Sequence, residues 1–367
     1  MTMPPSANRL KPAIVHVLPR TGIGGAEKHA LHLLGTLARH PGIELHLVCF
    51  ECAEWHDRFT ALGIPVHVIS RQAKLWIDLP RMLKLRKVIR RLNPDLIQSW
   101  LFEANLLCAV TRSQSSKLLT SQQSTRSSEQ SRLVNLADAW SKRASDLVIA
   151  NSEAGRDWAC ANGVRLDHVE IVPNAVLPGR TSPSRNRHGV IGFLGRLSPQ
   201  KGLRVLARAA AVLPPEIRIK VGGPPQYFRL DQVALAGRLS YIGPITDVEA
   251  FLHSIDLLVL PATDGEGESN VLLEACAAGV PFVTTDVGDN GVLARRLGMP
   301  VVPPGDAEAL ARAMSTAIAA PPQYVSTRDQ LLRDRAPEKV AARLVAIYRR
   351  LLPSYSQLLD PGSLFVA

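Results

Sequence analysis

Residues 256–274, DLLVLPATDGEGESNVLLE, carry the pattern that decides the fold. An apolar run ends at Pro261, a short acidic loop rich in Gly follows, and a helical stretch begins after it. This order predicts a strand, a loop and a helix, with backbone N–H groups of the loop close to an anion or a polyol. Glu266 precedes the helix and Glu274 lies within it, and carboxylates accept hydrogen bonds from the vicinal hydroxyls of sugars and riboses. The alternative is an ordinary strand–helix unit with two surface carboxylates.

The residues that follow make the pattern more specific. Residues 275–288 read ACAAGVPFVTTDVG, so an Ala-Ala-Gly-Val-Pro turn leads into a second strand that ends in Thr-Asp-Val-Gly. Together with the spacing of Glu266 and Glu274, this arrangement resembles the E-x7-E signature of retaining glycosyltransferases with the GT-B fold, most closely the large bacterial family 4. The resemblance extends over nearly the whole chain and is densest from Gly192 to Gly288.

A second motif in the same half strengthens the resemblance. Residues 195–202, GRLSPQKG, follow an apolar strand and match the Gly-Arg…Lys-Gly signature of the family. The resemblance implies that Arg196 and Lys201 neutralise the donor diphosphate and act with Glu266 as the catalytic residues. Fixed cations there would stabilise the negative charge that builds on the leaving nucleotide. It also implies that the reaction needs no cofactor and no obligatory metal, and no Asp-x-Asp motif occurs at a predicted strand end.

The resemblance further assigns the contacts to the donor. Glu274 would bind the ribose hydroxyls and Glu266 the transferred sugar, while backbone amides of the loop cradle the sugar and the phosphates. The other implied donor contacts are Gly195, Gly223, Ile245, Gly267, Glu268, Ser269 and Asn270. Family members commonly have Phe-Gly-Leu where this chain has Glu268-Ser269-Asn270, so the Glu268 side chain is expected to point away from the phosphates.

The first strand is followed by residues 22–27, GIGGAE, which have the shape of a phosphate-binding turn. As a dinucleotide fingerprint the segment fails, because Glu27 stands where the third Gly is required and would repel a pyrophosphate. A nicotinamide-dependent dehydrogenase is therefore disfavoured. The segment resembles the Gly-Gly-Ala-Glu loop of family 4, in which Gly24 and Gly25 would face the donor phosphates and the acceptor. The alternative is a tight turn that needs Gly for its dihedral angles.

The acceptor side departs from the family pattern. Many members carry a His at the end of an N-terminal strand, and here a Gln stands in its place, either Gln122 or Gln123. Glu103 or Asn105 is the other candidate contact for the sugar or the acceptor. The two remaining candidates, His16 and His29, are expected to be structural or rim residues rather than catalysts.

Length and pattern predict an α/β protein of two domains. The chain has 367 residues, and its short apolar strands alternate with helices, break at a polar stretch containing Pro and Gly, and then restart. We predict two doubly wound, Rossmann-like parallel-sheet domains facing across a cleft, which is the GT-B architecture. Residues 1–178 would form the acceptor-side domain and 179–336 the donor-binding domain. Residues 337–367 would form a C-terminal helical segment that, in the family, crosses back to the first domain.

Charge and composition limit the classes of ligand and surface that the protein is expected to bind. The net charge of +11 suits anionic ligands, and much of it lies in a predicted helix from Arg81 to Leu92. That helix has either a solvated basic face or a contact with an anionic membrane. Aromatic residues are only 5% and no nucleic-acid-binding motif is present, so nucleic acid is not expected. The five scattered Cys residues predict reduced thiols, and the N-terminus lacks the apolar core of a signal peptide, which predicts a cytoplasmic protein, either free or peripheral on the membrane.

These features lead to one leading function and two alternatives. The resemblance implies transfer of a sugar from a UDP- or GDP-sugar to a glycan, lipid-linked or small-molecule acceptor, by front-face displacement with an α-configured product. A sugar-nucleotide epimerase on the same fold would bind the same donor without an acceptor. A non-catalytic sugar-nucleotide-binding subunit, suggested by the missing His, would bind the donor and turn nothing over.

Overall fold

The computed structural model describes residues 9–69, 79–125, 131–179, 189–225 and 238–365, and these form two compact units. The first unit comprises Met1–Gln123, Ser131–Ala175 and Pro337–Ala367, and the second comprises Ser124–Gln130 and Val176–Ala336. The chain enters the second unit at Val176 because this side chain is buried in the core of that unit and its N–H donates to the carbonyl of Arg335 (2.9 Å).

Strands and helices alternate along the described residues. The strands are β1 (Ala13–Arg20), β2 (Glu44–Glu51), β3 (Val66–Val68), β4 (Leu96–Ser99), β5 (Lys117–Gln122), β6 (Leu147–Ala150), β7 (Val169–Ile171), β8 (Val190–Leu194), β9 (Arg218–Gly222), β10 (Leu239–Tyr241), β11 (Leu257–Leu260), β12 (Phe282–Thr285) and β13 (Val301–Val302). The helices are α1 (Gly25–Leu37), α2 (His56–Thr60), α3 (Leu79–Leu92), α4 (Leu101–Thr111), α5 (Arg132–Arg143), α6 (Glu153–Ala161), α7 (Leu203–Ala211), α8 (Val248–His253), α9 (Asn270–Ala277), α10 (Asn290–Leu297), α11 (Ala307–Ala319), α12 (Thr327–Asp334) and α13 (Pro337–Leu351). No helix of the described segments is long and apolar enough to cross a membrane.

The first unit is built on a seven-stranded sheet in the order β3-β2-β1-β4-β5-β6-β7, in which every pair is parallel. Its central strands β1, β4 and β5 are buried along almost their whole length because both faces are covered by helices. Leu85 and Ile89 of α3 and Leu107 of α4 pack on one face, and α4 contacts both α3 and α5. On the other face α13 packs against α1, so this C-terminal helix belongs to the first unit.

The second unit has a six-stranded parallel sheet in the order β10-β9-β8-β11-β12-β13. The strand order reverses between β8 and β11, which is where ligands bind in open sheets of this kind. The loops that follow β8, β9 and β11 carry the motifs that the sequence singled out. The fold therefore brings those loops to one edge of one sheet.

Two short strands, β7 and β13, were not predicted. Both lie at the edge of a sheet and contain three and two residues, too few for an apolar alternation to be recognised. The helices that the sequence predicted are α1, α3, α7, α8, α9 and α13, and the predicted strands lie where the apolar runs placed them, with shifts of a few residues at their ends; the remaining helices and strand β5 were not assigned from periodicity. The apolar spacing from Ala26 to His40, for example, predicts a helix, and the structure has α1 there, which ends at Leu37.

Candidate active site

The loop between β11 and α9 is the centre of the candidate site in the second unit. It is buried from Gly265 to Ser269, and the Glu266 side chain retains 8% of its exposure. The turn after β12 holds the loop, because the N–H of Asp289 donates to the carbonyl of Gly267 (3.0 Å). The Asn290 side chain accepts from the N–H of Ser269 (2.9 Å). These bonds fix the loop backbone before any ligand arrives.

The bond to Asn290 involves one of the backbone amides predicted to contact the donor. The N–H of Ser269 was expected to help cradle the donor, and in the structure it donates to the Asn290 side chain. A backbone N–H supplies a single hydrogen, so this amide serves the loop. Gly267 is buried, and Asn270, the first residue of α9, is half-buried.

The loop after β8 supplies the cation that meets Glu266. Lys201 donates from Nζ to Oε1 of Glu266 over 2.5 Å, and its own side chain is 14% exposed. Gly202, which follows, has φ +72°, and a Cβ there would overlap the carbonyl oxygen of Pro261. The N–H of Thr263 also donates to the carbonyl of Gln200 (2.8 Å). Close backbone contact between the two loops therefore brings Lys201 to Glu266, while Arg196 lies exposed on the same loop.

The glycines predicted to line the nucleotide also serve the packing of the loops. The N–H of Gly195 donates to the carbonyl of Gly222 (3.1 Å), and Gly223 has φ +137°. A Cβ on Gly223 would overlap the carbonyl oxygen of Gly195, so the loops after β8 and β9 touch backbone to backbone. Ile245 packs beside Gly222 and is half-buried against the core. Glu274 lies on α9 and is half-buried.

Glu268 is committed to a partner that the sequence did not reveal. Its carboxylate forms two hydrogen bonds with the guanidinium of Arg335, each 2.7 Å long, and the side chains of Glu268 and Arg335 are 6% and 13% exposed. Burial raises the pKa of Glu268, and the Arg335 charge opposes that rise. This pair explains how the loop accommodates a carboxylate where the family commonly has an apolar residue. Only the acidic residue in the loop hinted at this pair in the sequence. Its partner Arg335 lies 67 positions further along the chain, after α12.

In the first unit, the turn from β1 to α1 places the predicted glycines at the start of a helix. Gly24 is the N-cap of α1, with an extended backbone, and Gly25 is exposed. The buried carboxylate of Glu27 lies over Gly24, where a Cβ would overlap it. The negative charge of Glu27 interacts favourably with the positive end of the α1 dipole. The chain therefore supplies its own anion at this helix N-terminus.

A chain of buried hydrogen bonds accounts for His16. The indole N–H of Trp100 donates to Nδ1 of His16 (3.0 Å), so the imidazole proton lies on Nε2 and donates to the hydroxyl of Tyr348 (3.1 Å). That hydroxyl donates in turn to Oε1 of Gln98 (2.5 Å). Burial lowers the pKa of His16 to about 3. His29 is also buried and accepts from the N–H of Ala175 (3.0 Å), so both histidines hold the first unit together.

The acceptor-side candidates fall into different environments. Gln122 is buried at the end of β5, and Gln123 follows it half-buried. The Asn105 side chain bonds the Ser99 hydroxyl (2.7 Å) and both backbone groups of Ser121 (2.8 and 3.2 Å), so it links β4 to β5. Asn105 is 1% exposed, and its contact with the sugar or the acceptor stays a prediction.

The carboxylates of Glu103 and Glu51 both lie near the buried guanidinium of Arg81. Arg81 is 3% exposed, and its guanidinium lies 3.0 Å from the Glu51 carboxylate and 3.7 Å from that of Glu103. It also lies over the ring of Phe50. Burial raises the pKa of Glu103, and the charge of Arg81 opposes this. Arg81 therefore does not contribute to the exposed basic face of α3, to which the sequence assigned it.

The described residues contain no cluster of three or more His, Cys, Asp or Glu side chains that could hold a metal ion. Five cysteines are free thiols, of which Cys49, Cys108 and Cys276 are buried.

Comparison with protein families identifies the chain. A model described as Glycosyltransferase Family 4 matches residues 23–180, and one described as Glycosyl transferases group 1 matches residues 188–320. The chain belongs to the family 4 glycosyltransferases of the GT-B fold. The two matches follow one another along the chain, the first ending in the predicted linker and the second spanning β8 to α11.

Individual relatives of this family 4 chain act on different substrates. It is 28% identical over 272 residues to an exopolysaccharide phosphotransferase of Streptomyces coelicolor, covering 69% of this chain and 28% of that one. It is 27% identical over 237 residues to a lipopolysaccharide core mannosyltransferase of Rhizobium leguminosarum, covering 58% and 67%. The chain thus spans less than a third of the length of the first relative.

Among solved structures, an Anabaena protein crystallised with UDP-glucose superposes with a TM-score of 0.73 over 96% of each chain. Its sequence identity to this chain is 22%. At that identity the likeness establishes the shared fold.

Proposed function

We propose that this family 4 chain transfers a sugar from a nucleotide-diphosphate sugar to an acceptor, with retention of configuration and without a metal. The observation that carries the proposal is the buried pair of Lys201 and Glu266 at the carboxyl edge of the second sheet. A cation held beside a carboxylate, with Glu274 in the next helix, suits a ligand that combines phosphates with sugar hydroxyls.

Each residue has a distinct part in the proposed reaction. Lys201 and the exposed Arg196 would stabilise the charge that develops on the leaving diphosphate. Glu266 would accept hydrogen bonds from the transferred sugar, and Glu274 from the ribose. The acceptor hydroxyl would attack on the face from which the phosphate leaves, and a phosphate oxygen would take its proton. No protein nucleophile is then required, and the new bond has the α configuration.

The comparisons support a particular choice of substrates. A uridine nucleotide is the first donor to test, because an Anabaena protein of the same fold was crystallised with UDP-glucose; a GDP-sugar is the second. A glycan or lipid-linked acceptor is favoured by the lipopolysaccharide core mannosyltransferase among the relatives. An acceptor on a lipid carrier also suits the basic outer face of α3.

Donor binding is the first experiment. We would titrate the protein calorimetrically with UDP, GDP, ADP and TDP, using wild type, Glu274→Ala and the control Glu308→Ala, which removes an exposed Glu of α11. One nucleotide should bind to wild type and to the control, and bind at least about tenfold more weakly to Glu274→Ala. Binding of no nucleotide, or binding indifferent to Glu274, would contradict the proposed donor site.

Turnover then separates the alternatives. Product formation only with an acceptor, with an α anomeric signal by NMR and no effect of EDTA, supports the transferase. Release of a free or epimerised sugar without acceptor would indicate the epimerase. A non-catalytic donor-binding subunit is the second candidate, because a Gln stands where the family commonly has His, and it would bind the nucleotide with no turnover of UDP- or GDP-sugars.

A further inference from the structure

Helix α5 of the first unit has its polarity reversed. Leu133, Leu136 and Trp140 are 75%, 64% and 44% exposed, and their spacing of three and four residues places them in one stripe. Lys142, on the opposite side of the helix, is buried, and so are Ala139 and Ser141. A helix on the surface of a protein normally turns its apolar stripe inward and its charged side chains outward.

The inward side of α5 is satisfied by specific polar contacts. Lys142, with a side chain only 2% exposed, pairs with Asp138 on the same helix, and its ammonium lies 5.2 Å from the centre of the Trp158 ring. Burial lowers the pKa of Lys142, and the Asp138 charge opposes that shift. These contacts fix the rotation of α5 about its axis, so the apolar stripe is held outward.

The stripe lies in the same helical layer as the basic face of α3. Helix α4 contacts both α3 and α5, and right-handed crossovers place the three on one face of the sheet. Helix α3 contains no acidic residue and exposes Leu79 and Leu83 as well. Its exposed cations are Lys84, Arg86, Lys87, Arg90 and Arg91. This layer of α3, α4 and α5 therefore combines exposed apolar side chains with a row of positive charges.

The charge of the layer is not offset by its own carboxylates. Helices α3, α4 and α5 contain two acidic residues, Glu103 and Asp138, and these pair with the buried cations Arg81 and Lys142. The exposed cations thus outnumber the exposed carboxylates on these three helices, whereas the neighbouring α6 carries Glu153 and Asp157 paired with Arg156. A surface that offers apolar side chains, a Trp and exposed positive charge fits the interface of an anionic lipid bilayer. A second copy of the chain fits less well, because like charges would face each other.

We propose that the outer face of the layer of α3, α4 and α5 docks on a membrane rich in anionic lipid, with Leu133, Leu136 and Trp140 entering the headgroup region. The cations of α3 would contact the lipid phosphates. This inference does not depend on the proposed glycosyl transfer, because lipid binding is measured without donor or acceptor.

The test is co-sedimentation of the full chain with vesicles of phosphatidylglycerol and phosphatidylcholine, compared with phosphatidylcholine alone. Wild type should bind the anionic vesicles, and the variant L133S/L136S/W140S should bind at least about tenfold more weakly. The matched control is L166S/V212S/V292S, which removes exposed apolar side chains from other surfaces and should bind as wild type does. Equal binding of the two triple variants would overturn the proposal. A wild-type protein that does not bind the anionic vesicles would overturn it as well.

The basic face is tested separately. Lys84→Gln with Lys87→Gln should weaken binding and reduce its salt dependence between about 0.1 M and about 1 M salt. Arg343→Gln with Arg349→Gln removes two exposed cations from α13, on the opposite face of the sheet, and should leave binding unchanged. Equal effects of the two pairs would contradict a role for this face.

A further measurement uses wild type and one conservative substitution, so its result does not depend on whether the triple variants fold. Brominated phosphatidylglycerol should quench tryptophan fluorescence of wild type more than that of Trp140→Phe. Equal quenching would mean that Trp140 does not enter the lipid. Light scattering tests whether a second copy of the chain covers the stripe instead. A wild-type dimer that becomes a monomer in L133S/L136S/W140S would make the stripe an interface between copies and overturn the membrane assignment.

Discussion

Lys201 and Glu266 form an ion pair between two loops of the second unit, with Nζ 2.5 Å from Oε1 and both side chains largely buried. Each residue came from a different motif, and 65 positions separate them along the chain. Because each satisfies the other, removing one leaves a charge with little access to water.

Lys201→Ala should therefore reduce both stability and activity. The uncompensated carboxylate of Glu266 should cost about 3 kcal/mol of unfolding free energy, since that is the usual loss when a buried pair is broken. If Lys201 acts on the leaving diphosphate, kcat should fall by about 10²- to 10³-fold. Urea denaturation and sugar transfer measure the two effects. Lys339→Ala, an exposed Lys of α13, is the control, and equal behaviour of the two variants would remove Lys201 from the site.

Gly202→Ala should destabilise the protein more than an ordinary glycine replacement. Both Gly202 and Gly305 have a positive φ, +72° and +82°, but only at Gly202 does the new Cβ meet an atom, the carbonyl oxygen of Pro261. Gly305→Ala should cost about 1 kcal/mol from backbone strain, and Gly202→Ala clearly more. Thermal unfolding of the two variants side by side is the check. Equal losses would mean that the loops yield easily.

Glu268 and Arg335 should show strong coupling in a double-mutant cycle. Glu268→Gln or Arg335→Gln alone should cost about 3 kcal/mol, because a buried charge loses its partner. Replacing both by Leu should recover most of that loss, as an apolar pair is often tolerated at such sites. The exposed pair of Arg312 and Glu308 is the matched control and should show no measurable coupling.

The same pair should also influence donor binding through the loop. Glu268→Gln is expected to raise the KM for the donor more than it lowers kcat, since Glu268 positions the backbone that cradles the ligand. A KM unchanged in a folded Glu268→Gln protein would restrict the pair to a structural role. Partial recovery of the Arg335→Gln defect by Arg335→Lys is expected only if charge, and not bidentate geometry alone, matters.

Tyr348→Phe should weaken the attachment of α13 to the first sheet. The hydroxyl of Tyr348 joins His16 and Gln98, and its removal leaves two buried polar groups without that partner. The expected loss is about 1–3 kcal/mol in unfolding free energy. Tyr355→Phe removes a half-buried hydroxyl that lies 3.5 Å from Asp95 and should cost less than about 0.5 kcal/mol. A similar loss for both would show that the buried chain of bonds adds nothing.

Acid should destabilise the protein in part through His16. Burial lowers the pKa of His16 from 6.5 to about 3, so the unfolded chain binds this proton more readily than the folded one. The contribution of His16 is complete above the unfolded pKa and is lost as the pH falls toward the folded pKa. Between about pH 7.5 and about pH 5, wild type should lose about 2 kcal/mol more than His16→Gln. His32, also of low pKa, is common to both proteins, and equal losses would contradict the assignment.

Much of the fold could be read from local pattern. The apolar runs Leu147–Ala150 and Val190–Leu194 each predict a strand, and the structure has strands with these bounds, because strands buried on both faces form short continuous apolar runs between turn residues. Gly202 and Gly223 lie in loops that the sequence singled out, but the close backbone contacts they make with Pro261 and Gly195 were not predicted. The edge strands β7 and β13 are too short for such a pattern.

The sequence by itself determined the alternation of strands and helices, the family, and the loops in which the candidate site lies, because periodicity and turn residues act over a few neighbouring positions. Only the tertiary structure decided which charges are paired. Arg335 pairs with Glu268, and Arg81 lies buried beside Glu51 instead of on the basic face of α3. Asn105 joins two strands by hydrogen bonds. The tertiary structure also turned Leu133, Leu136 and Trp140 outward on α5. Such choices depend on contacts between residues far apart in sequence, and on the cost of burying a charge without a partner, which no local pattern contains.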